Sequence, residues 1–543
     1  MNVALVYLLF ISAALCSPRL DPLVDTKKGL IRGLQASDGD YAMFLGIPYA
    51  RVNESNPFGP SHPYPDFEEV FEAYDGSAKC PQIDDNSHQI IGSLDCLRMN
   101  VYVPNKASSR NRLPVLVYIH GGVFQVGNGG RDYFGPKYLV RHDVVLVTIN
   151  YRVGAYGFMC LDTADVPGNQ GLKDQLIALR WVRDNIGAFG GDADKVTLGG
   201  QSAGSVSVEF HLLSKQEKLF ERVILQSGTT LCPWVMEESN GKKLLQVAER
   251  LGLDVGDTDA ALAFLATVDP ELVIAAVSEL GLQFLPCVEK EFEGVESVVA
   301  EHPVNSAVPN ARSVPILVGY TRNEMLFYSK RPAESYQHGL DMFYDNLTMT
   351  FDLGEEDRDL EKLVRQFYIG DETLSLELQR EITDYESDFT FNYPVHRRVH
   401  NYLENAAKVY YYVFSYYGDR NYGKIKRNLT DDGVAHSDDV AYLFDISMLS
   451  TEAPTEEDQL VIDRMTTMWT NFVKYGDPIP EATDLLPVKW APATSDVLHY
   501  LDIGSELDLK RRPFHDRMAF WDLFFKMNIH LLKGYRNDIE YKN

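Results

Sequence analysis

A serine between small residues is the sharpest chemical signal in the sequence. Gly200, Ser202 and Gly204 form a G-x-S-x-G pattern, which a β-rich run at 195–198 precedes and a helical pattern at 206–213 follows. Glycines two residues to either side allow a serine to occupy a tight strand-to-helix turn that lifts its hydroxyl above a sheet. The pattern predicts that Ser202 is a nucleophile, and the alternative is a structural glycine-rich turn.

A serine hydroxyl is a poor nucleophile until a base removes its proton and an acid orients that base. When the serine lies on such a turn, the acid and then the histidine follow it in the chain. Glu324 follows a predicted strand at 315–318, and His436 lies in a polar loop beyond another predicted strand. On spacing alone, a surface carboxylate and a solvated histidine remain the alternatives for these two residues.

A second glycine-rich segment, IHGGVF at 119–124, directly follows a predicted buried strand. Backbone N–H groups in such a loop can stabilise the negative charge that develops on a substrate oxygen. A plain turn and a phosphate-binding loop are the alternatives. The chain contains neither G-x-x-x-x-G-K-[ST] nor a G-x-G-x-x-G that opens a helix, which disfavours nucleotide binding.

These segments require a sheet that brings strand ends together. Short β-rich runs alternate with longer helical patterns, which predicts an α/β fold with a mostly parallel sheet. The predicted strands lie at 113–119, 144–149, 195–198, 222–225, 315–318 and 409–414, and the clearest helices at 174–186 and 206–213. Between about 330 and 400 the pattern is helical and charged, which predicts a lid or cap.

Composition excludes several classes of protein. The 543 residues include 51 Lys and Arg against 78 Asp and Glu, a net charge of −27 that disfavours nucleic acid and anionic membranes as partners. Apolar residues make up 45% and charged residues 24%, as in globular proteins. No apolar run after the first residues is long enough to span a bilayer. The acidic surface instead favours solubility and cationic or neutral ligands.

The first residues of the chain indicate the compartment in which the protein is expected. A short apolar run followed by small residues predicts a cleaved secretory signal at 1–16 and one domain at 17–543, the alternative being an N-terminal element of the fold. The tail carries neither an ER-retention signal nor a hydrophobic GPI tail. Three N-x-S/T sequons, at Asn53, Asn346 and Asn428, fit a secreted glycoprotein.

Five cysteines follow the predicted signal, so at least one is unpaired. Cys80 and Cys96 are close in sequence among polar turn residues and are the best disulfide pair. Closing so short a loop stabilises by about 3 kcal/mol on the chain-entropy model. Cys160 and Cys287 lie in apolar contexts and are expected to be small buried hydrophobic residues.

The sequence resembles the type-B carboxylesterases, the cholinesterase-like α/β-hydrolases, over nearly all of the mature chain. Besides the serine motif and the 119–124 segment, the resemblance is carried by FLGIPYA at 44–50, NYRVG at 150–154, GNQGLKDQ at 168–175, FGGD at 189–192 and QSG at 226–228. It implies an α/β-hydrolase fold, with a large mostly parallel central sheet flanked by helices and with helical cap insertions. It also implies that no metal or organic cofactor is required.

The resemblance assigns catalytic roles to three residues: Ser202 as nucleophile, Glu324 as orienting acid and His436 as general base. It places the oxyanion-hole N–H groups on Gly122, Val123 and Ala203. Val123 stands where the family usually has Gly or Ala, so its branched side chain should narrow the space beside the substrate carbonyl. By analogy with the family's acyl pocket, Leu280 and Leu282 are expected to line that pocket.

The resemblance also bears on the remaining cysteine and on metal binding. Leu253 and Phe264 occupy the positions of the family's second disulfide, so Cys232 is expected to be a buried free thiol. His396 and His400 lie four residues apart on a predicted helix. No third ligand accompanies them in the sequence, and a structural role is expected for both.

The implied activity is hydrolysis of carboxylic esters through an acyl-enzyme. Dietary, xenobiotic, odorant or pheromone esters are the expected substrates, as in general insect-type carboxylesterases. The alternative is a juvenile hormone esterase, because Gln201 in the serine motif is typical of that group. Acetylcholinesterase is disfavoured, since no aromatic residue that could bind choline lies between Cys80 and Cys96. An inert binding or adhesion protein is the alternative of another class, disfavoured because all three catalytic residues are present.

Overall fold

The computed structural model describes residues 21–306, 308–327, 342–447 and 453–536. The predicted signal at 1–16 lies outside the described residues. Within them, no helix is long and apolar enough to cross a membrane.

An eleven-stranded sheet forms the centre of the molecule. Its strands are, in chain order, β1 (Leu34–Gln35), β2 (Tyr41–Pro48), β3 (Arg98–Pro104), β4 (Leu113–Ile119), β5 (Val145–Ile149), β6 (Gly191–Gln201), β7 (Arg222–Gln226), β8 (Ile316–Thr321), β9 (Val409–Phe414), β10 (His499–Ile503) and β11 (Leu507–Arg511). Their order across the sheet is β11-β10-β9-β8-β7-β6-β4-β5-β3-β2-β1. All neighbours between β10 and β5 run parallel, and the strands at both edges are antiparallel.

The parallel strands are continuous apolar runs because helices cover both faces of the sheet. Every residue of β5 and β9 is buried, as are all but one of β4. The predicted α/β class with a mostly parallel sheet is confirmed. From β4 the chain passes to β5 on one side and then crosses to β6 on the other, which is the type of switch point where ligands bind at the carboxyl ends of strands.

The helices cover the sheet and extend beyond it. They are α1 (Lys137–Val140), α2 (Gly154–Phe158), α3 (Gln170–Asn185), α4 (Ala203–Leu213), α5 (Gly241–Arg250), α6 (Thr258–Leu265), α7 (Pro270–Glu279), α8 (Met342–Thr350), α9 (Asp359–Ile369), α10 (Gln379–Ser387), α11 (Tyr393–Glu404), α12 (Tyr422–Arg427), α13 (Glu456–Tyr475) and α14 (His515–Met527). A π-helical turn, Asp388–Asn392, joins α10 to α11. Short strands Leu23–Thr26, Gly29–Arg32 and Phe71–Glu72 form a separate small sheet.

The predicted cap region is helical where the structure describes it. Helices α8, α9, α10 and α14 share a core of their own, centred on Phe343, Tyr385, Trp521 and Phe524. This aromatic cluster lies apart from the two cores that cover the faces of the sheet. The cap helices therefore have a hydrophobic core of their own.

A buried ion pair between Arg152 and Asp174 fixes the segment after β5 against α3. The guanidinium of Arg152 donates to both carboxylate oxygens of Asp174 at 2.8 Å, and neither side chain is exposed. Arg152 also donates to the carbonyls of Pro57 and Gly59, and Ser61 donates to Asp174. Burying two charges is tolerable here because nearly every hydrogen-bonding position of the pair is occupied.

The disulfides confirm one expectation and correct another. Cys80 and Cys96 are bonded as predicted, and Cys232 is a buried free thiol. Cys160 and Cys287, expected to be unpaired hydrophobic residues, form a second disulfide across 127 residues of sequence. Their apolar surroundings are real, since both are buried, but the fold also brings the two thiols together.

The difference in loop length predicts a difference in stabilisation. On the chain-entropy model, the 160–287 bond stabilises by about 5 kcal/mol and the 80–96 bond by about 3 kcal/mol. Replacing Cys160 and Cys287 with serine should therefore lower the unfolding midpoint more than replacing Cys80 and Cys96. Urea unfolding of the two double variants checks this order, and the reverse order would show that loop closure does not dominate.

Candidate active site

Ser202 occupies a sharp turn between β6 and α4. Its backbone angles are φ 59° and ψ −127°, a conformation that is strained for any residue with a side chain. Its N–H donates to the carbonyl of Gln226 on the neighbouring strand β7 at 2.8 Å. The side chain is 5% exposed and lines the main cavity, as expected for a nucleophile elbow.

The two glycines of the serine motif are required by crowding at this turn. A Cβ on Gly200 would lie 2.5 Å from the carbonyl group of Gly204, and a Cβ on Gly204 would lie 2.1 Å from the carbonyl oxygen of Ile119. Helix α4 therefore begins directly against β4 and β6. This packing is the physical reason for the G-x-S-x-G spacing.

Glu324 and His436 meet although 112 residues separate them. Glu324 follows β8 and is fully buried, and its Oε1 accepts from the N–H of Thr321 at 2.7 Å. Its Oε2 lies 2.5 Å from Nδ1 of His436, and its carbonyl accepts from the N–H of His436 at 3.0 Å. The loop of His436 follows β9, so both residues lie at the carboxyl end of the sheet, where Ser202 also lies.

Two further side chains contact the imidazole of His436. The ring of Phe391 stacks on it with centroids 4.6 Å apart and an interplanar angle of 29°. The amide Nε2 of Gln201 lies 3.1 Å from its Nε2. The imidazole and Ser202 line the same cavity, and in this conformation Nε2 is hydrogen-bonded to Gln201.

The loop after β4 has an unusual backbone. Gly122, Val123 and Phe124 all have positive φ, at 115°, 48° and 62°. Among the described residues, no main-chain carbonyl accepts from the N–H of Gly122 or Val123. Ala203, the first residue of α4, has no partner for its N–H within that helix. The loop therefore presents donors with no competing main-chain acceptor beside Ser202.

His120 supports this loop through contacts with Tyr151 and Gly121. Its ring stacks on Tyr151 with centroids 4.3 Å apart, and its Nδ1 donates to the carbonyl of Gly121 at 2.8 Å. The hydroxyl of Tyr151 donates to the carbonyl of His120 at 2.9 Å. Burial lowers the pKa of His120 to about 4, so its imidazole is neutral at physiological pH.

Two buried aspartates hold the loop of His436 in place. Asp438 accepts from the main-chain N–H groups of Lys424 and Ala435, at 2.9 and 2.6 Å. Asp439 accepts from the amide of Gln226 at 2.8 Å and from the hydroxyl of Tyr412 at 3.1 Å. Burial raises the pKa of Asp438 to about 7 and that of Asp439 to about 6.

Comparisons with known proteins agree with the geometry of the site. Residues 20–521 match the carboxylesterase family. The chain belongs to this family. It is 31% identical to a juvenile hormone esterase of Heliothis virescens, over 91% of this chain and 93% of that protein. It is also 31% identical to esterase FE4 of Myzus persicae, over 93% of each.

A solved structure agrees with the sequence relatives. The crystal structure of juvenile hormone esterase from Manduca sexta with OTFP covalently attached matches with a TM-score of 0.82 and 29% identity, over 93% of this chain and 100% of that one. The predicted α/β-hydrolase fold is confirmed, and the protein is a carboxylic ester hydrolase.

The cavity of this carboxylesterase has a volume of about 520 Å³, and its walls combine apolar with polar and charged side chains. Its apolar lining consists of Val123, Val126, Phe134, Pro233, Trp234, Leu285, Met325, Phe327, Met349, Phe389, Phe391, Val440 and Ile446. Charged and hydroxyl groups also contribute, among them Asp85 and Lys426, which form an ion pair at 2.5 Å. Leu280 and Leu282, expected to line the acyl pocket, are not among the lining residues; Leu285, further along the same segment, lies there instead. Leu280 lies just past the end of α7, where its side chain is exposed.

The histidine pair on α11 is a local contact. Nε2 of His396 lies 3.3 Å from Nε2 of His400 and 3.7 Å from a carboxylate oxygen of Asp522 on α14. Among the described residues, no group of three or more His, Cys, Asp or Glu is arranged to hold a metal ion.

Phe391 is the site residue that sequence reasoning missed most completely. It lies in the π-helical turn, which is fixed by buried Asp388: this carboxylate accepts from Tyr368 and Asn392 and pairs with Arg517 of α14 at 2.9 Å. Single-turn π-helices are often found at functional sites. No local pattern in the sequence distinguishes this phenylalanine from other core residues.

Val123 provides a test of the loop that follows β4. A β-branched residue at φ 48° is strained by about 1 kcal/mol or more, and Val123, which is 46% exposed, lines the same cavity as Ser202. Val123→Gly should raise kcat/KM for a bulky ester such as a pivalate, relative to a butyrate, by about tenfold through the added space. Val123→Ala should give a smaller gain, and an unchanged ratio in both variants would show that Val123 does not limit acyl size.

Proposed function

We propose that this protein is a secreted serine carboxylesterase in which Ser202, Glu324 and His436 form the catalytic triad. The observation that carries the proposal is the buried contact between Glu324 and His436 at 2.5 Å, on a cavity that also contains Ser202. A buried carboxylate facing Nδ1 fixes the tautomer in which Nε2 is the base. The strained turn at Ser202 is the second support, since this backbone exposes the hydroxyl to the same cavity.

Each step of the proposed reaction uses a group described above. Ser202 Oγ attacks the ester carbonyl while Nε2 of His436 takes its proton, and Glu324 stabilises the resulting imidazolium. The N–H groups of Gly122, Val123 and Ala203 stabilise the oxyanion. His436 then protonates the leaving alcohol, and a water molecule attacks the acyl-enzyme by the same route to release the acid.

The cavity favours uncharged esters with apolar groups. Aromatic and aliphatic side chains form about half of its walls, and a volume of about 520 Å³ is within the range of small-molecule sites. Dietary, xenobiotic, odorant and pheromone esters all belong to this chemical class. We place such general esters first among the substrates.

Juvenile hormone is the second candidate substrate. Two observations favour it: the similarity to juvenile hormone esterases of Heliothis virescens and Manduca sexta, and Gln201 in the serine motif. A comparison of kcat/KM for juvenile hormone with kcat/KM for short acyl esters separates the candidates. A strong preference for the hormone would promote it to the first place.

Secretion is supported by features of the folded chain. Two disulfides are typical of proteins from oxidising compartments. We propose a signal at 1–16, a mature domain at 17–543 and glycans at Asn53, which is partly exposed, and Asn428, which is exposed. Asn346 is less favourable for a glycan, because its Nδ2 is buried and the residue lines the cavity.

The nucleophile is tested by Ser202→Ala. Because the oxygen that forms the acyl-enzyme is removed, kcat for a short acyl ester should fall by about 10⁴-fold or more. An organophosphate should inactivate the wild type irreversibly and leave the variant unlabelled, as measured by intact-protein mass.

The matched control is Ser205→Ala in the same motif. The hydroxyl of Ser205 donates to the carbonyl of Gly228 at 2.6 Å and does not line the cavity. This variant should remain active and be labelled by the organophosphate. Full activity of Ser202→Ala would refute the proposed nucleophile.

A further inference from the structure

Gln201, the residue immediately before the proposed nucleophile, contacts the proposed base. It ends β6, its side chain is 7% exposed, and its amide Nε2 lies 3.1 Å from Nε2 of His436. The loop after β4 passes close to this side chain, since a Cβ added to Gly121 would lie 3.2 Å from Oε1 of Gln201. The amide is therefore held between the base and the oxyanion loop.

The hydrogen-bonding chemistry of this contact depends on the protonation state of His436. Nδ1 faces the carboxylate of Glu324 and carries a proton, so Nε2 of the neutral imidazole is an acceptor. The amide nitrogen of Gln201 can donate to that acceptor. In the imidazolium, Nε2 also carries a proton, and two donors would then oppose each other. The contact is therefore a hydrogen bond with the neutral ring only.

We propose that Gln201 is a positioning residue that donates to the neutral imidazole of His436 and holds its Nε2 at the nucleophile turn until an ester binds. Ser202 then replaces the amide as the partner of Nε2 and transfers its proton there. This inference rests on the proposed function, because it assigns Gln201 a role in preparing the base of that reaction. The stacked ring of Phe391 restricts rotation of the imidazole during the exchange.

Several titratable or charged groups face His436 or share its cavity, and a test of Gln201 must leave these residues unchanged. They are Glu324 after β8, Asp438 and Asp439 in the loop of His436, His120 after β4, Glu386 on α10, Lys426 and Arg427 on α12, and Asp84 and Asp85 in the first disulfide loop. Asp438 and Asp439 have raised pKa values near 7 and 6, so they titrate in the range where an imidazole does. A substitution at Gln201 leaves all of these residues in place.

The test is the pH profile of kcat/KM for Gln201→Glu. A carboxylate at this position accepts a hydrogen bond from the imidazolium and favours the protonated ring, so the acid limb should move to higher pH by about one unit. Measured with a neutral short acyl ester, kcat/KM should fall about tenfold relative to wild type on the acid limb and remain within about threefold at pH 9.

Two further variants separate this role from alternatives. Gln201→Leu removes the donor without adding an acceptor, so its acid limb should lie between those of the wild type and Gln201→Glu. Gln283→Glu adds the same charge on the cavity wall, and the hydrogen bonds of the His436 side chain among the described residues go to Glu324 and Gln201, so this variant should move the limb much less than Gln201→Glu. Thermal unfolding of each variant confirms that it is folded.

The outcomes are decisive for the inference. If the profile of a folded Gln201→Glu variant coincides with that of the wild type, or if Gln283→Glu moves the limb equally, the positioning role is overturned. Failure of the proposed function is distinguishable, because it would appear as full activity of Ser202→Ala. An inactive Ser202→Ala with an unshifted Gln201→Glu would overturn this inference alone.

Discussion

The close approach of α4 to β4 at the Ser202 turn is the constraint on which the site depends. Because Gly204 has no side chain, the helix begins within contact of the carbonyl of Ile119, and the backbone at Ser202 is forced into its strained conformation. That conformation places the hydroxyl in the cavity, the N–H of Ala203 beside it and the amide of Gln201 beneath His436. A bulkier residue at Gly204 would displace all three groups together.

The remaining groups reach this turn from separate strand ends. Glu324 follows β8, the His436 loop follows β9, and the glycine-rich loop at 120–124 follows β4, so the parallel sheet delivers each of them to the same edge. Buried polar contacts then fix their orientation: Asp438 holds the His436 loop, and His120 with Tyr151 holds the glycine-rich loop after β4. The cap contributes Phe391 through a π-helical turn that is itself held by Asp388.

Local signals predicted the parts of the fold that local physics controls. The strands at 113–119 and 409–414 were located to the residue, because parallel strands buried on both faces are short runs of apolar residues. The helix predicted at 174–186 begins earlier, at Gln170, and ends at Asn185. Its first turn is polar, and the buried side chains of Asn169, just before the helix, and of Asp174 are satisfied by tertiary hydrogen bonds that periodicity does not register.

The sequence by itself determined the strand-to-helix turn at Ser202, because a G-x-S-x-G spacing has a steric reason that acts within five residues. It determined the family as well, through motifs spread over the whole chain. Only the tertiary structure decided that Cys160 bonds Cys287, that Leu285 rather than Leu280 or Leu282 lines the cavity, and that Gln201 and Phe391 contact His436. The contacts between side chains join residues that are between 45 and 235 positions apart in the sequence, and the place of Leu285 depends on where a loop turns. Both are set by the packing of strands and helices, which no local pattern in the sequence encodes.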